Sequence, residues 1–247
     1  MSRPLLNLVI PDVHLKMDTV QRILDRESYD KVYFLGDFFD DWNDKAATNA
    51  KMAQKLNDWM ENDDFHFIYG NHDVHYFWDL DFLPCSGYEE IKHLAIKNFL
   101  NRDLVRKRFK FYQTVDDWLL THSGCDRRVI PNDVKEELRA VVEYLERQTE
   151  TCKNQLSMGR SHWFFQAGYA RGGRYPVGGI LWCDWFDEFI PIPNVKQIAG
   201  HTFCGSNGKQ NVPHWRDGYN VNLDTNLKYY GIVKGGELEI KRTLDII

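Results

Sequence analysis

Short apolar runs that each break off at a polar side chain set the rhythm of this chain. Leu6-Asn7-Leu8-Val9-Ile10 runs into Pro11-Asp12-Val13-His14, and Val32-Tyr33-Phe34-Leu35 into Gly36-Asp37. Phe65-His66-Phe67-Ile68-Tyr69 runs into Gly70-Asn71-His72-Asp73, and Trp118-Leu119-Leu120-Thr121 into His122-Ser123-Gly124. Runs of this length read as buried strands that deliver polar groups at their carboxyl ends. Between them the period becomes helical, with Val20, Ile23 and Leu24 inside Asp18 to Glu27, and Met52, Leu56, Trp59 and Met60 inside Ala46 to Asn62. Alternation of this kind predicts βαβ units and an open sheet with its site outside the strand ends.

Further along, Ile91 to Asp103 predicts an amphipathic helix with Leu94, Ile96, Phe99 and Leu100 inward, and Arg102, Arg106, Lys107, Arg108 and Lys110 read as a solvated basic face beside an edge strand. Phe109 to Tyr112 and Val115 to Leu120 flank Gln113-Thr114 as a hairpin. Pro131 to Leu156 carries the longest helical pattern, capped at Asn132, and a second helix from Met158 to Tyr169 is broken by Arg171-Gly172-Gly173-Arg174. Gly179 to Cys183 predicts a strand ending in Asp184, and Val195 to Ala199 delivers Gly200-His201-Thr202. A strand over Tyr219 to Leu223 and two short ones over Tyr229 to Arg242 close the fold.

Composition narrows the class. With 247 residues, 43% apolar and 27% charged, and no linker-like segment, the expectation is a single domain over residues 1–247. No run approaches the roughly eighteen apolar residues that span a bilayer. Met1-Ser2-Arg3-Pro4 leads directly into the first strand, which leaves no room for a signal peptide. Cys85, Cys125, Cys152, Cys183 and Cys204 form no C-x-x-C pair and read as free thiols of a reducing cytoplasm. A net charge of −5 carries no global footprint for nucleic acid.

The strand-end groups Asp12, His14, Asp37, Asn71, His122 and His201 mix carboxylate, amide and imidazole without a thiolate, which suits catalytic metals and not a structural zinc. Singly, each is ordinary turn chemistry; the signal is six of them in order behind apolar strands. They divide into Asp12, His14 and Asp37, and Asp37, Asn71, His122 and His201. Asp37 is shared because a carboxylate can bridge two cations and an imidazole cannot. The expected cofactor is two divalent ions, Mn2+ first, with Fe, Zn, Co or Ni as alternatives. Two such ions roughly 3.5–4 Å apart can hold a hydroxide for in-line attack on a phosphate ester and neutralise its oxygens. His72 is placed to protonate the leaving oxygen, and Asp40 to hold its imidazolium.

Asp12-Val13-His14, Gly36-Asp37-Phe38-Phe39-Asp40, Gly70-Asn71-His72-Asp73, Thr121-His122-Ser123-Gly124 and Gly200-His201-Thr202 resemble the signature blocks of the calcineurin-like metallophosphoesterases. That resemblance implies an α/β fold, a four-layered metallophosphoesterase β-sandwich flanked by helices, with a dinuclear centre and the same ligand division. Leu181-Trp182-Cys183-Asp184 and Asn222-Leu223-Asp224-Thr225 look like elements of the serine/threonine protein phosphatase branch and its bacterial and phage relatives. Phe203 stands where many phosphodiesterase members carry a second metal histidine, and Asn226 follows Asp224-Thr225 where the branch has Gly. Asp41 stands where that branch carries a phosphate-binding Arg, so another cation has to compensate, and Arg160, Arg171 and Arg174 are the candidates.

Three functions remain open at this point. The first is a phosphomonoesterase acting on a phosphorylated protein or small molecule. The second is a nucleotide phosphodiesterase or dinucleoside polyphosphate hydrolase. The third is a non-catalytic scaffold, which six intact ligand positions disfavour. His75, His162 and His214 are each candidates for a substrate contact, although singly they read as core or surface histidines. Trp42, Trp78, Trp163, Trp182, Trp185 and Trp215 read mostly as core, with one or two able to stack on an aromatic leaving group.

Overall fold

The computed structural model describes residues 3–246; the lead formed by Met1 and Ser2 lies outside the described residues. Asn7–Ile10 (β1), Lys31–Phe34 (β2) and Phe65–Ile68 (β3) are parallel neighbours, with Met17–Arg26 (α1) and Ala46–Met60 (α2) as crossovers. All four residues of β1 are buried, and Leu8 lies opposite Val32, which in turn lies opposite Phe65. The chain continues through Asn71–Phe77 (α3), Glu90–Phe99 (α4) and Arg102–Arg108 (α5) to a two-residue strand, Phe109–Lys110 (β4), parallel to β3. Phe34 stacks on Phe67 at 5.2 Å, Phe67 on Phe109 at 5.2 Å, and Trp59 of α2 covers Phe34 at 5.3 Å. This aromatic row holds the strands in register, because a slip of one residue would turn every ring to the other face.

Tyr112–Val115 (β5) and Trp118–Thr121 (β6) open a second sheet, followed by Leu138–Ser157 (α6), Lys196–Ala199 (β7), His214–Arg216 (β8) and Asn220–Asn222 (β9). Its order is β5-β6-β7-β9-β8, with β6, β7 and β9 parallel and both edges antiparallel. The closing strands, Tyr229–Lys234 (β10) and Glu237–Arg242 (β11), return to the first sheet, whose order is β11-β10-β1-β2-β3-β4. The fold is mixed α/β, two sheets flanked by helices. One compact unit combines the segment ending at Lys110 with the one starting at Thr225, and the other is Phe111–Asp224. None of the helices among the described residues is long and apolar enough to cross a membrane.

Several elements differ from the sequence reading. The hairpin turn is Asp116-Asp117, with Asp116 at φ 51°, and the strand before it is β5; β4 pairs in the other sheet. The helix expected over Ile91 to Asp103 is two, because Asn101 starts a new one by accepting the Leu104 N–H at 3.1 Å. Leu94 and Phe99, expected inward, are 52% and 48% exposed. Residues 131–137 are turns, tied down by Arg127 to Glu136 at 2.6 Å, so α6 starts at Leu138 and Asn132 caps nothing. Gly159 at φ +68° ends α6, and only 3-10 turns at Trp163–Phe165 and Tyr169–Arg171 follow where a second helix was expected. The apolar run Gly179 to Cys183 is a buried turn: Trp182 and Cys183 both donate to the Gly179 carbonyl, and a Cβ at Gly179 would fall 2.0 Å from the Trp163 carbonyl oxygen. Trp42 is 95% exposed.

Candidate metal centre

In the first unit, the exits of β1 and β2 are laced together by backbone hydrogen bonds. Val13 and His14 both donate to the Asp37 carbonyl, at 3.0 and 2.7 Å, and Leu15 to that of Phe38 at 3.0 Å. His14, Asp37 and Asp40 are held at φ 41°, 50° and 58°. Left-handed conformations at three non-glycine positions of one site are the local strain that packed functional loops retain. Gly36 and Gly70 let these loops approach, since a Cβ at Gly70 would lie 2.2 Å from the Asp37 carboxylate.

Ligand atoms of Asp12, His14 and Asp37 all lie within 4.8 Å of one another. His14 Nδ1 donates to the Asp40 carbonyl at 2.6 Å, which leaves Nε2 as the lone-pair nitrogen, 3.6 Å from Asp37 Oδ2. Asp12 and Asp37 are 1% and 2% exposed. Two buried carboxylates this close favour a bound cation, because removing like charges from water is costly unless one is present. The donor set is therefore a good fit for a divalent metal.

Asn71 opens α3 and is buried. The next residue, His72, donates its backbone N–H to Asp37 Oδ1 at 2.8 Å, and its Nδ1 lies 3.1 Å from Asp40 Oδ2. Asp73 fixes the same junction by accepting the Phe38 N–H at 2.7 Å and the Gly70 N–H at 3.0 Å. Burial opposes a charge on Asp40, but hydrogen bonds from His72, His75 and Tyr76 outweigh it and hold the carboxyl well below the usual range. Burial likewise opposes a charge on His72, and the Asp37 charge with the Asp40 hydrogen bond overcomes it and raises its pKa. A cation on Asp37 would offset the first of these two.

In the second unit, His122 follows β6 and His201 follows β7, with ring centroids 5.0 Å apart and His201 at φ 68°. Arg171 is tied to the residue after His201: its Nη2 donates to Thr202 Oγ1 at 2.9 Å, and its Nε is 2.9 Å from Asp184 Oδ2. Arg160 and Arg174 are exposed and form no ion pair among the described contacts. The Arg171 loop wraps around the Glu188 carboxylate, which accepts the N–H groups of Ala170 at 2.8 Å, Gly178 at 2.9 Å and Asp184 at 3.2 Å.

The sequence reading missed several groups around Asp40. Tyr76 Oη donates to Asp40 Oδ1 at 2.7 Å, His75 Nε2 lies 3.2 Å from Oδ2, and the Lys92 ammonium is 3.4 Å from Oδ1. Cys85 Sγ is 3.4 Å from His75 Nδ1. Only His75 carried a signal, its position one turn after His72 on the same side of α3. Asp41, read as repelling phosphate, is paired with Lys16 at 3.1 Å.

The calcineurin-like phosphoesterase family profile matches residues 8–204, and the chain belongs to that family. It is accordingly a hydrolase of phosphate esters, and its family is metal-dependent. No curated protein sequence matches it. Among solved structures, the cold-active protein-tyrosine phosphatase of the psychrophile Shewanella sp. is similar with a TM-score of 0.58 at 14% identity, over 97% of this chain and 78% of that one. A second structure of a cold-active protein tyrosine phosphatase gives 0.53 at 13% identity, over 96% and 78%. A protein serine/threonine phosphatase from Saccharomyces cerevisiae gives 0.45 at 14%, over 96% and 79%. At these identities the likeness shows the fold alone.

Proposed function

We propose that this chain is a phosphomonoesterase of the protein-phosphatase kind, working with two divalent ions. Asp12, His14 and Asp37 would hold one ion; the ligand division expected from the sequence would give Asn71, His122 and His201, with Asp37, to the other. When bound, the ions supply an activated water and neutralise phosphate oxygens during in-line displacement. His72 protonates the leaving oxygen from Nε2, because Asp40 occupies its Nδ1. Arg171, braced by Asp184 and Thr202, grips the phosphate with its remaining N–H groups.

The observation that carries this reading is His72, whose backbone N–H holds Asp37 Oδ1 while its Nδ1 faces the Asp40 carboxylate. A monoester is favoured because Lys16 neutralises Asp41, removing the repulsion that a dianion would meet. The names of the two cold-active protein tyrosine phosphatase structures support it. His72→Asn is expected to slow turnover of phenyl phosphate by about 10²–10⁴-fold and to leave bound metal unchanged. The loss should shrink for para-nitrophenyl phosphate, whose leaving group needs no proton. Equal losses across leaving groups would remove the acid role.

A further inference from the structure

Helix α4 carries a lysine and a histidine on its buried face beside Ile96, and leaves two aliphatics in water. Ile91 and Leu94 are 65% and 52% exposed, whereas Lys92 and His93 between them are 2% and 7% exposed. Burying the two aliphatics in place of a lysine and a histidine would be favoured by the hydrophobic effect. A lysine kept inside against that gain needs compensating partners, and it has them. Its ammonium lies 2.5 Å from Asp44 Oδ1 and 3.4 Å from Asp40 Oδ1, and it donates to the Gly87 carbonyl at 2.8 Å. Both carboxylates are almost fully buried, with side chains 4% and 5% exposed.

The two oxygens of Asp40 divide their work. Oδ2 faces His72 Nδ1 at 3.1 Å and His75 Nε2 at 3.2 Å, while Oδ1 takes Tyr76 Oη and Lys92. Gly87 closes the remaining side, since a Cβ there would lie 2.9 Å from Oδ2. A carboxylate gripped on Oδ1 cannot rotate about its own axis, so Oδ2 stays aimed at the imidazoles. We infer that Lys92 is a positioning residue for turnover: its ammonium clamps Asp40 Oδ1 and anchors the Asp40 to Asp44 loop, and it acts on the reaction only through His72. This inference rests on the reading of His72 as the proton donor.

The test is a double-mutant cycle on the Mn2+-loaded enzyme, using aryl phosphate monoesters with leaving groups from phenol to para-nitrophenol. Lys92→Met is expected to lower kcat on phenyl phosphate about 10–100-fold, with KM and bound metal unchanged and a smaller loss on para-nitrophenyl phosphate. Lys92→Arg should restore most of the rate. The double variant with His72→Asn should be no slower than His72→Asn alone. Losses that multiply in the double variant, or a Lys92→Met loss independent of the leaving group while His72→Asn behaves as an acid variant, would overturn the inference alone. Uniform losses in His72→Asn itself would overturn the reading beneath it as well. Should Lys92→Met not fold, Tyr76→Phe removes the other Oδ1 partner and keeps its ring in the core. It must show the same dependence on leaving group and the same absence of further loss in the double variant.

Discussion

Asp41 stands where the resemblance implies a phosphate-binding arginine, and by itself it would oppose a dianion. Lys16 changes that: Nζ is 3.1 Å from Asp41 Oδ2 and also donates to the His14 carbonyl. Removing the ammonium leaves the carboxylate unopposed, and a dianionic monoester should suffer more than a monoanionic diester. Lys16→Met is therefore expected to lower kcat/KM for para-nitrophenyl phosphate several-fold more than for its bis-ester at low salt. A constant ratio between the two would mean that Asp41 does not face the substrate. The candidate ligands were legible in the sequence because each sits directly behind an apolar strand. Lys16, Tyr76 and Lys92 were not, because their partners lie 25, 36 and 52 residues away and only folding brings them together.

Among the elements, the strands read best, since short runs rich in apolar residues that stop at turn-forming ones leave few alternatives. Failures came where apolar runs meet glycine: Gly179 to Cys183 is buried as a turn, and its glycines are there for close packing. The loop that carries Arg171 owes its shape to one side chain, Glu188. Its carboxylate offers acceptors to three backbone N–H groups, and an amide would turn a donor toward some of them. Glu188→Gln should raise KM several-fold with a smaller effect on kcat, because a phosphate grip lost equally from bound substrate and transition state appears in KM. Faster hydrogen exchange at the Ala170 and Gly178 amides, with the central strands unchanged, would confirm that the loop alone has loosened.

For the molecule as a whole, two described histidines sit where their charge is strongly opposed, the half-buried His66 of the first unit and the buried His162 of the second. Burial, with Lys31, Lys110 and Arg108 nearby, depresses the pKa of His66 to about 4, and burial does the same to His162. In His162 both nitrogens are engaged, Nε2 with Gln148 Oε1 at 3.2 Å and Nδ1 accepting the Phe164 N–H at 3.3 Å. The unfolded chain takes up these protons near 6.5, the folded one only near 4. Their contribution to stability is thus complete above about pH 6.5 and is lost progressively as pH falls toward 4. The lowered carboxyls of Glu27 and Asp79 add a loss only below their ordinary range. Taken alone, His162 makes the melting temperature fall as pH drops from 7.5 to 5, against an opposite contribution from His72 and His75, whose raised pKa values favour the folded state as pH falls. His162→Gln should flatten that slope even if it lowers the melting temperature at pH 7.5, and an unchanged slope would remove His162 from the account.

None of the five cysteines forms a disulfide, and Cys85 is the one that is not buried. An alkylating fluorophore or a trifluoromethyl tag offered to the folded protein will therefore attach at a single place, 3.4 Å from His75 and one imidazole away from Asp40. No residue need be engineered for this reporter. Denaturation opens the other four thiols, so label stoichiometry would rise from one to five, and the same reagent would report on the surroundings of Asp40 and on the integrity of the fold.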